Sequence, residues 1–404
     1  MSGSFASELQ WIADTAPSLR EELLGLANLN SGSFNAGGVR AVAERLLPRF
    51  TQLGASHEWL ELPAYTLTTD SGAQTRRKIG PALRLRQRPQ ARLQVFLAGH
   101  LDTVYPRDHS FQTARFADED TVHGPGVADL KGGLLTLWLA LAALERSPQR
   151  ERIGWEVLLN PDEEIGSVAS APLLAEAATR HRFGLIYEPS LPDGCLVSAR
   201  KGSGNFEVLV HGIAAHAGRN PEQGRNALVA AAHFTTRLQA LNGQREGVTL
   251  NPGYVRGGGA VNVVPDFCLL RFNVRTSAPA DEAWLRNQID RICAELGGDG
   301  LCFEIRGGFT RPPKLINEAQ QRLMHWVGDC GQALKLPLSF KPTGGCCDGN
   351  NLAALGLPNL DNMGVVGRDI HSAKETMRYS SLAERAQLSA LLLLRFASGA
   401  LSWS

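Results

Sequence analysis

Five short stretches of the chain end or interrupt an apolar run with an acid or a histidine. They are GHLDT with His100 and Asp102, GPGVADLKGG with Asp129, NPDEEIGS with Glu163 and Glu164, YEPS with Glu188, and DIHSAKE with His371. Each has an ordinary role if taken singly. An Asp before a helix, as Asp129 stands before LKGGLLTLWLALAALE, is commonly an N-cap; an acidic pair in a turn is commonly solvated, Glu188 reads as a strand-end charge, and a lone His as an exposed loop residue. Together they offer imidazole and carboxylate with no thiolate, the donor mixture suited to zinc and related divalent ions in a hydrolytic site. Two ions roughly 3.5 to 4 Å apart need one bridging carboxylate and terminal ligands on each side. One assignment that satisfies this puts His100 and Glu188 on one ion, Glu164 and His371 on the other, and Asp129 between them.

Residues i and i+2 of a strand share a face, so His100 and Asp102 at the tip of QVFLAGH are expected to touch. A carboxylate beside an imidazole fixes its tautomer, which matters when the other ring nitrogen binds a metal. Neighbouring side chains in an extended segment point apart, so Glu163 and Glu164 divide the work. Glu164 is expected on a metal, and Glu163 facing a water as general base.

The elements that must position these groups follow from patterning. Residues 6–30 and 37–54 repeat apolar positions at three and four, as amphipathic helices do. ARLQVFLAGH, the helical GGLLTLWLALAALE and GWEVLLN form a β-α-β unit with nearly continuous apolar strands, the signature of a mostly parallel, buried sheet flanked by helices. From about residue 197 strands and helices alternate as NFEVLVHG, RNALVAAAHFTTRLQAL, VTLNPGYVRGGG, DFCLLRFNVR, ADEAWLRNQIDRICAEL and LCFEIRGGF. That β-α-β-β-α-β order is ferredoxin-like and reads as an inserted α+β domain. The predicted division is 1–196 and 312–404 for an α/β catalytic domain and 197–311 for the insertion. Helices at EAQQRLMHWVGDCGQAL and SLAERAQLSALLLLRFASGAL return the chain to the first domain.

The 404 residues fit two domains, and 43% hydrophobic residues can fill two cores. Lys plus Arg number 41 against 40 Asp plus Glu, so no basic excess points to nucleic acid or an anionic membrane. Seven scattered cysteines without a CxxC pair suggest a reducing compartment. The acids in MSGSFASELQWIADTAPSLREELL do not suit a signal peptide, and no run of about eighteen apolar residues suggests a membrane span. A cytoplasmic location is expected.

The ordered series GHLDTV, GPGVADLKGG, DEEIGS, EP, HGIAAHAG and HSAKE, from about residue 90 to 375, resembles that of the M20 family of zinc metallopeptidases. That family includes glutamate carboxypeptidases, aminoacylases, acetylornithine deacetylase and succinyl-diaminopimelate desuccinylase. The resemblance implies His100, Asp129, Glu164, Glu188 and His371 as ligands of two zinc ions, with cobalt or manganese as possible substitutes. It also implies Glu163 as general base, Asp102 as the partner of His100, and an inserted domain that is both lid and homodimer interface. His216, in HGIAAHAGRNPEQGRNAL, lies where members of the family reach into a neighbouring active site to steady the oxyanion. Asn262 in GAVNVVP and Arg275 in FNVR match positions that contact the substrate carboxylate or the oxyanion. Arg311 in GGFTRPP and the glycines Gly344 and Gly345 of PTGGCCDGN are further candidates for gripping a free carboxylate.

Two departures bear on substrate choice. Cys346 and Cys347 precede Asp348 where relatives more often carry a small hydroxyl residue, and a thiol is a poor donor that packs as a small hydrophobe. Glutamate-selective relatives carry a lysine near the position of Cys195; Arg200 and Lys201 of ARKGSG either replace it or are surface charges at the domain junction. The expected activity is cleavage of an amide bond next to a free amino-acid carboxylate, on a small peptide or an N-acyl amino acid. The alternatives are a biosynthetic deacylase of the acetylornithine or succinyl-diaminopimelate type, and a catalytically silent homologue that binds a metabolite. All seven core positions are filled, which disfavours the silent reading.

Overall fold

The computed structural model describes residues 5–403. Its first layer is built on strands β1 (Ser56–Leu60), β2 (Ala82–Gln87), β3 (Leu93–His100), β4 (Ile153–Asn160), β5 (Phe183–Ile186) and the short Asn359–Leu360. The sheet order is β1-β2-β4-β3-β5 followed by Asn359–Leu360. β3 runs parallel to both β4 and β5, and β5 parallel to Asn359–Leu360, while β1 and β2 join antiparallel at one edge. The sheet is therefore mixed and mostly parallel, as the apolar strands predict.

Register sets the site. His100 ends β3 opposite Asn160, the last residue of β4, and Ala98 of β3 faces Ile186 at the end of β5. The carboxyl ends of three adjacent parallel strands thus release GHLD, NPDEE and YEP on one edge, where α/β sheets usually carry their sites.

Helix α1 (Gly132–Arg146) is buried on every side, from Leu134 through Leu144, because the sheet covers one face and the helix Ser381–Ser398 another. A helix enclosed in this way has no polar stripe. The segment Val127–Arg146 is long and apolar enough to cross a membrane, yet here it is core from Val127 to Glu145. Its start depends on two glycines: a Cβ on Gly133 would sit 2.1 Å from the Tyr187 carbonyl oxygen, and one on Gly132 2.5 Å from that of Val127. Only glycine lets helix and strand backbones approach so closely, and that approach brings Asp129 beside Glu188.

The predicted amphipathic helix over 6–30 is broken: Ala6–Thr15 gives way to a tight turn, Ala16–Leu19, and then to Arg20–Ala27. Pro17 lacks the N–H that a continuous helix would need there. The second predicted helix runs Ala36–Thr51, with the Asn35 side chain accepting the Gly38 N–H at 3.2 Å.

The insertion comprises β6 (Gly202–His211), α2 (Ala227–Gln239), β7 (Thr249–Gly257), β8 (Phe267–Thr276), α3 (Pro279–Leu296) and β9 (Cys302–Arg311). Its four strands are antiparallel in the order β7-β8-β6-β9. Phe206, Val208, Phe234, Phe272 and Leu285 close a separate core under the two helices. The chain does not cross into this sheet at once, since Leu196–Arg200 pairs in parallel with Phe340–Thr343 and Arg200 pairs with Lys314. The face of the inserted sheet away from its helices meets a hairpin, Tyr65–Thr68 with Gln74–Arg77, that the sequence patterning did not single out. There Arg271 donates to the Thr68 carbonyl at 2.6 Å and Arg306 to that of Gly72 at 2.7 Å.

Candidate metal centre

Asp129 lies in a wide helical turn, Val127–Lys131, that precedes α1. It is not an N-cap. Its Oδ1 is 3.0 Å from His100 Nε2, and its Oδ2 is 3.1 Å from His371 Nε2. One carboxylate therefore faces two imidazoles, one through each oxygen, the disposition of a bridge. Glu164 Oε2 lies 3.2 Å from His371 Nε2, and Glu188 Oε1 lies 3.8 Å from His100 Nε2. His100, Asp129 and Glu164 present ligand atoms within 4.8 Å of one another, and so do His100, Glu163 and Glu188. All five expected ligands converge although their positions span most of the chain.

His371 reaches the cluster with φ 62°. That left-handed backbone is uncommon for a residue with a Cβ, and such conformations concentrate at functional sites.

Asp102 plays a part the i, i+2 rule did not give it. The His100 Nδ1 partner is the Asp102 backbone carbonyl at 2.9 Å, with the carboxylate at 3.4 Å. The buried carboxylate accepts instead from the backbone N–H groups of Glu163 at 3.1 Å and Glu164 at 3.2 Å, and from Ser33 Oγ at 2.7 Å. It ties one strand tip to the next. The acidic pair forms a short helical turn, Glu163–Ile165, rather than an extended segment, yet the side chains do diverge. Glu163 lines a cavity of about 250 Å³ together with Asp129, Glu188, Arg200, Cys346 and His371, whereas Glu164 lines a neighbouring one of about 460 Å³ with Phe34, Arg77 and Arg107.

Burial pushes the Glu163 carboxyl up to about 7 against the pull of Arg311 and His100. It pushes Glu164 up to about 8, helped by the Asp129 charge, and raises Glu188 as well. Burial opposes the Asp129 charge too, but hydrogen bonds from His100 and His371 hold it below the usual carboxylate range. His371 is raised to about 11 by its bonds to Asp129 and Glu164. Crowding and burial thus raise the three glutamates while the two imidazoles keep Asp129 charged. A divalent cation answers the same crowding with positive charge. Glu164 Oε1 and Glu188 Oε1 are buried without a hydrogen-bond partner among the described residues. Two such orphans beside a bridging carboxylate fit metal ligation, because an unpaired buried oxygen is otherwise costly.

The expected substrate contacts divide into three groups. Arg275 and the glycine segment come together: Arg275 Nη1 is 3.0 Å from Cys346 Sγ, and Gly345 lines the smaller cavity. Gly344 is exposed beside it. His216 and Asn262 lie elsewhere, on exposed loops of the insertion, where a short pairing of Ala215–His216 with Val263–Val264 holds them. His216 Nδ1 accepts only the Gly218 N–H, at 3.1 Å. Arg311 does not match its expected role of gripping a substrate carboxylate. It is 3% exposed, absent from the cavity wall, and bonded to Glu163, Asp348, Asn351 and Ser167. A guanidinium so occupied has no free fork for a ligand.

Arg200 is no surface charge: it lines the smaller cavity while bonding Asp361 at 2.9 Å and Asn362 at 3.2 Å. Lys201 turns away to the Gly247 carbonyl at 2.9 Å. Cys347 is buried, and its sulfur accepts the Gly349 N–H at 3.4 Å, capping the helix Asp348–Ala354 where a hydroxyl would serve. Glu375, within the HSAKE stretch, was missed. Its fully buried carboxylate takes the N–H groups of Gly126, Ala128 and Asp129 at 3.0, 2.9 and 3.1 Å and so shapes the bridging turn. Its signal was proximity to His371 in sequence, which does not distinguish a loop charge from a clamp.

Comparison with known proteins gives a consistent set. Residues 96–395 match the profile of peptidase family M20/M25/M40. Carboxypeptidase G2 of Pseudomonas sp. (strain RS-16) is 27% identical over 96% of this chain and 92% of that protein. A succinyl-diaminopimelate desuccinylase of Alkalilimnicola ehrlichii is 28% identical over 70% of this chain and 79% of its own. Among solved structures, an M20 family metallo-carboxypeptidase from Sulfolobus solfataricus superposes with a TM-score of 0.74 at 15% identity, covering 94% of this chain and 99% of the other.

Proposed function

Because the chain belongs to peptidase family M20/M25/M40 and is a hydrolytic enzyme acting on amide bonds, we propose that it is a two-metal exopeptidase or N-acyl-amino-acid hydrolase. It cleaves the amide next to a free amino-acid carboxylate. The observation that carries the reading is the Asp129 carboxylate shared between His100 and His371, flanked by the orphaned oxygens of Glu164 and Glu188. His100 and Glu188 would hold one ion and Glu164 and His371 the other, with Asp129 available to both. An all-nitrogen-and-oxygen set suits zinc, with cobalt or manganese able to substitute. The ions would polarise the amide carbonyl and acidify water.

The remaining steps belong to the chain. Glu163 has Oε1 held by Arg311, which leaves Oε2 to take the proton of the attacking water and return it to the leaving nitrogen. A carboxylate held beside the water can make both transfers. The smaller cavity takes the amino-acid side, with Arg275, Gly344 and Gly345 nearest the free carboxylate and Asn262 arriving from the insertion.

His216 serves a neighbouring subunit, donating to the developing oxyanion. A homodimer through the insertion is supported by the free edge of β7 and by exposed Val229, Val255 and Val261 around it. Such apolar exposure on one unit suits a protein partner. The seven cysteines, all free, support a cytoplasmic location. The alternative of a biosynthetic deacylase shares every residue of the centre and draws on the likeness to the desuccinylase; it differs in the acyl group.

The test is amino-acid release from N-acetyl, N-succinyl and dipeptide substrates by zinc-loaded protein, with and without chelator. Chelator-sensitive release from dipeptides or N-acetyl amino acids bears the proposal out. Release confined to the N-succinyl or acetylornithine members moves the assignment to the deacylase, and chelator-insensitive release overturns the metal mechanism.

A further inference from the structure

Arg311 ends β9, yet it does not join the core of the insertion as Phe303, Ile305 and Phe309 do. Register explains this. Val210, Val208 and Phe206 of β6 face Phe303, Ile305 and Gly307, and Gly204 faces Phe309, but Ser203 faces Arg311. Thr310 is an extra residue on β9, a bulge, and beyond it the alternation of side chains changes face. Were Thr310 an ordinary paired residue, Arg311 would continue the odd-numbered series into the insertion's own core. With the bulge, the guanidinium shares the face of Ser203 and meets the NPDEE turn.

There it makes five hydrogen bonds. Nη2 donates to the Glu163 carbonyl at 2.9 Å, to Glu163 Oε1 at 2.6 Å and to Ser167 Oγ at 3.0 Å. Nη1 donates to Asp348 Oδ1 at 2.9 Å and to Asn351 Oδ1 at 3.0 Å. Asp348 also accepts from Ser167 Oγ and from Asn160 at the end of β4. Nη2 thus holds Glu163 by backbone and side chain at once while Nη1 anchors on Asp348 and Asn351, a two-nitrogen span that a single ammonium cannot reproduce.

We infer that Arg311 is a positioning residue for Glu163, re-aimed by the Thr310 bulge so that the strand returning from the insertion sets the direction of the general base. The inference rests on the proposed role of Glu163. It also makes the base sensitive to the insertion: a shift of β9 against the sheet moves Arg311 and, with it, Glu163.

The experiment has two arms. In the first, R311K and R311Q are assayed on a matched pair of substrates, one with a free carboxylate and one with the carboxamide. Misaiming the base predicts a fall in kcat on the order of 10²-fold for both variants, with KM and the preference for the carboxylate kept. A raised KM with loss of that preference would mean that Arg311 grips substrate, and overturns the inference. In the second arm, the melting shifts of R311Q, E163Q and the double variant are compared, a readout independent of turnover. Coupled partners give shifts that do not add; additive shifts overturn the contact. A wild type that cleaves nothing defeats the functional reading and removes the base this residue would serve, while a non-additive cycle would still identify which of the two readings had failed.

Discussion

The metal cluster and the tip of the insertion carry two halves of one expected chemistry in opposite environments. His100, Asp129 and Glu188 are buried, and their polar atoms converge within a few ångströms. His216 and Asn262 are exposed, on two loops that bond to each other. The difference reflects cost. Several charges can share a dry site only if strand tips and turns hold them against repulsion, so one chain must build that site rigidly. A donor to a charge that exists only during reaction carries no such cost in the resting protein, and can be delivered by a second body. The cluster is therefore assembled within one chain, and on the proposed reading His216 at the tip serves another.

The comparison breaks outright if the cluster survives loss of its bridge. Asp129→Ala should abolish both activity and cation-dependent stabilisation, read by metal analysis and melting with and without zinc; retention of two ions would remove Asp129 from the bridge. Glu163→Gln should cost about 10²- to 10⁴-fold in kcat, as loss of a general base does, with two ions still bound. His216→Ala should lower kcat by roughly 10²- to 10³-fold, the worth of an oxyanion donor, without altering cation affinity. Mixing the His216→Ala and Glu163→Gln proteins sharpens the contrast, because a site shared between subunits regains activity in the mixture. No regain would assign His216 to its own chain or to none. The smallest effect is on packing: Gly133→Ala should destabilise by roughly 1–3 kcal/mol through overpacking against Tyr187, and weaken cation binding by parting Asp129 from Glu188. Denaturant unfolding and zinc titration measure both.

Sequence pattern carried the architecture far. Continuous apolar strands, a helix without a polar face and the β-α-β-β-α-β alternation are local properties of the chain, and each appears where the pattern puts it. The donor types were legible for the same reason, since only imidazole and carboxylate stood at those strand tips. Side-chain partners were less legible. Asp102 meets the His100 ring as expected and also clamps the Glu163–Glu164 turn, which the sequence did not show, because a turn there brings two free N–H groups over its carboxylate. Glu375 was invisible as a clamp until the bridging turn closed upon it. Arg311 read as a ligand-gripping cation, and one bulge residue, Thr310, turned it toward Glu163 instead.

By itself, then, the sequence determined which elements form and which groups stand at their ends, because periodicity and residue chemistry act over a few positions. Only the tertiary structure decided which of those groups meet. Asp129 and His371 are 242 positions apart and meet through strand register and glycine-permitted approach of backbones, while Arg311 meets Glu163 through a single bulge, and none of these acts until the whole core is packed.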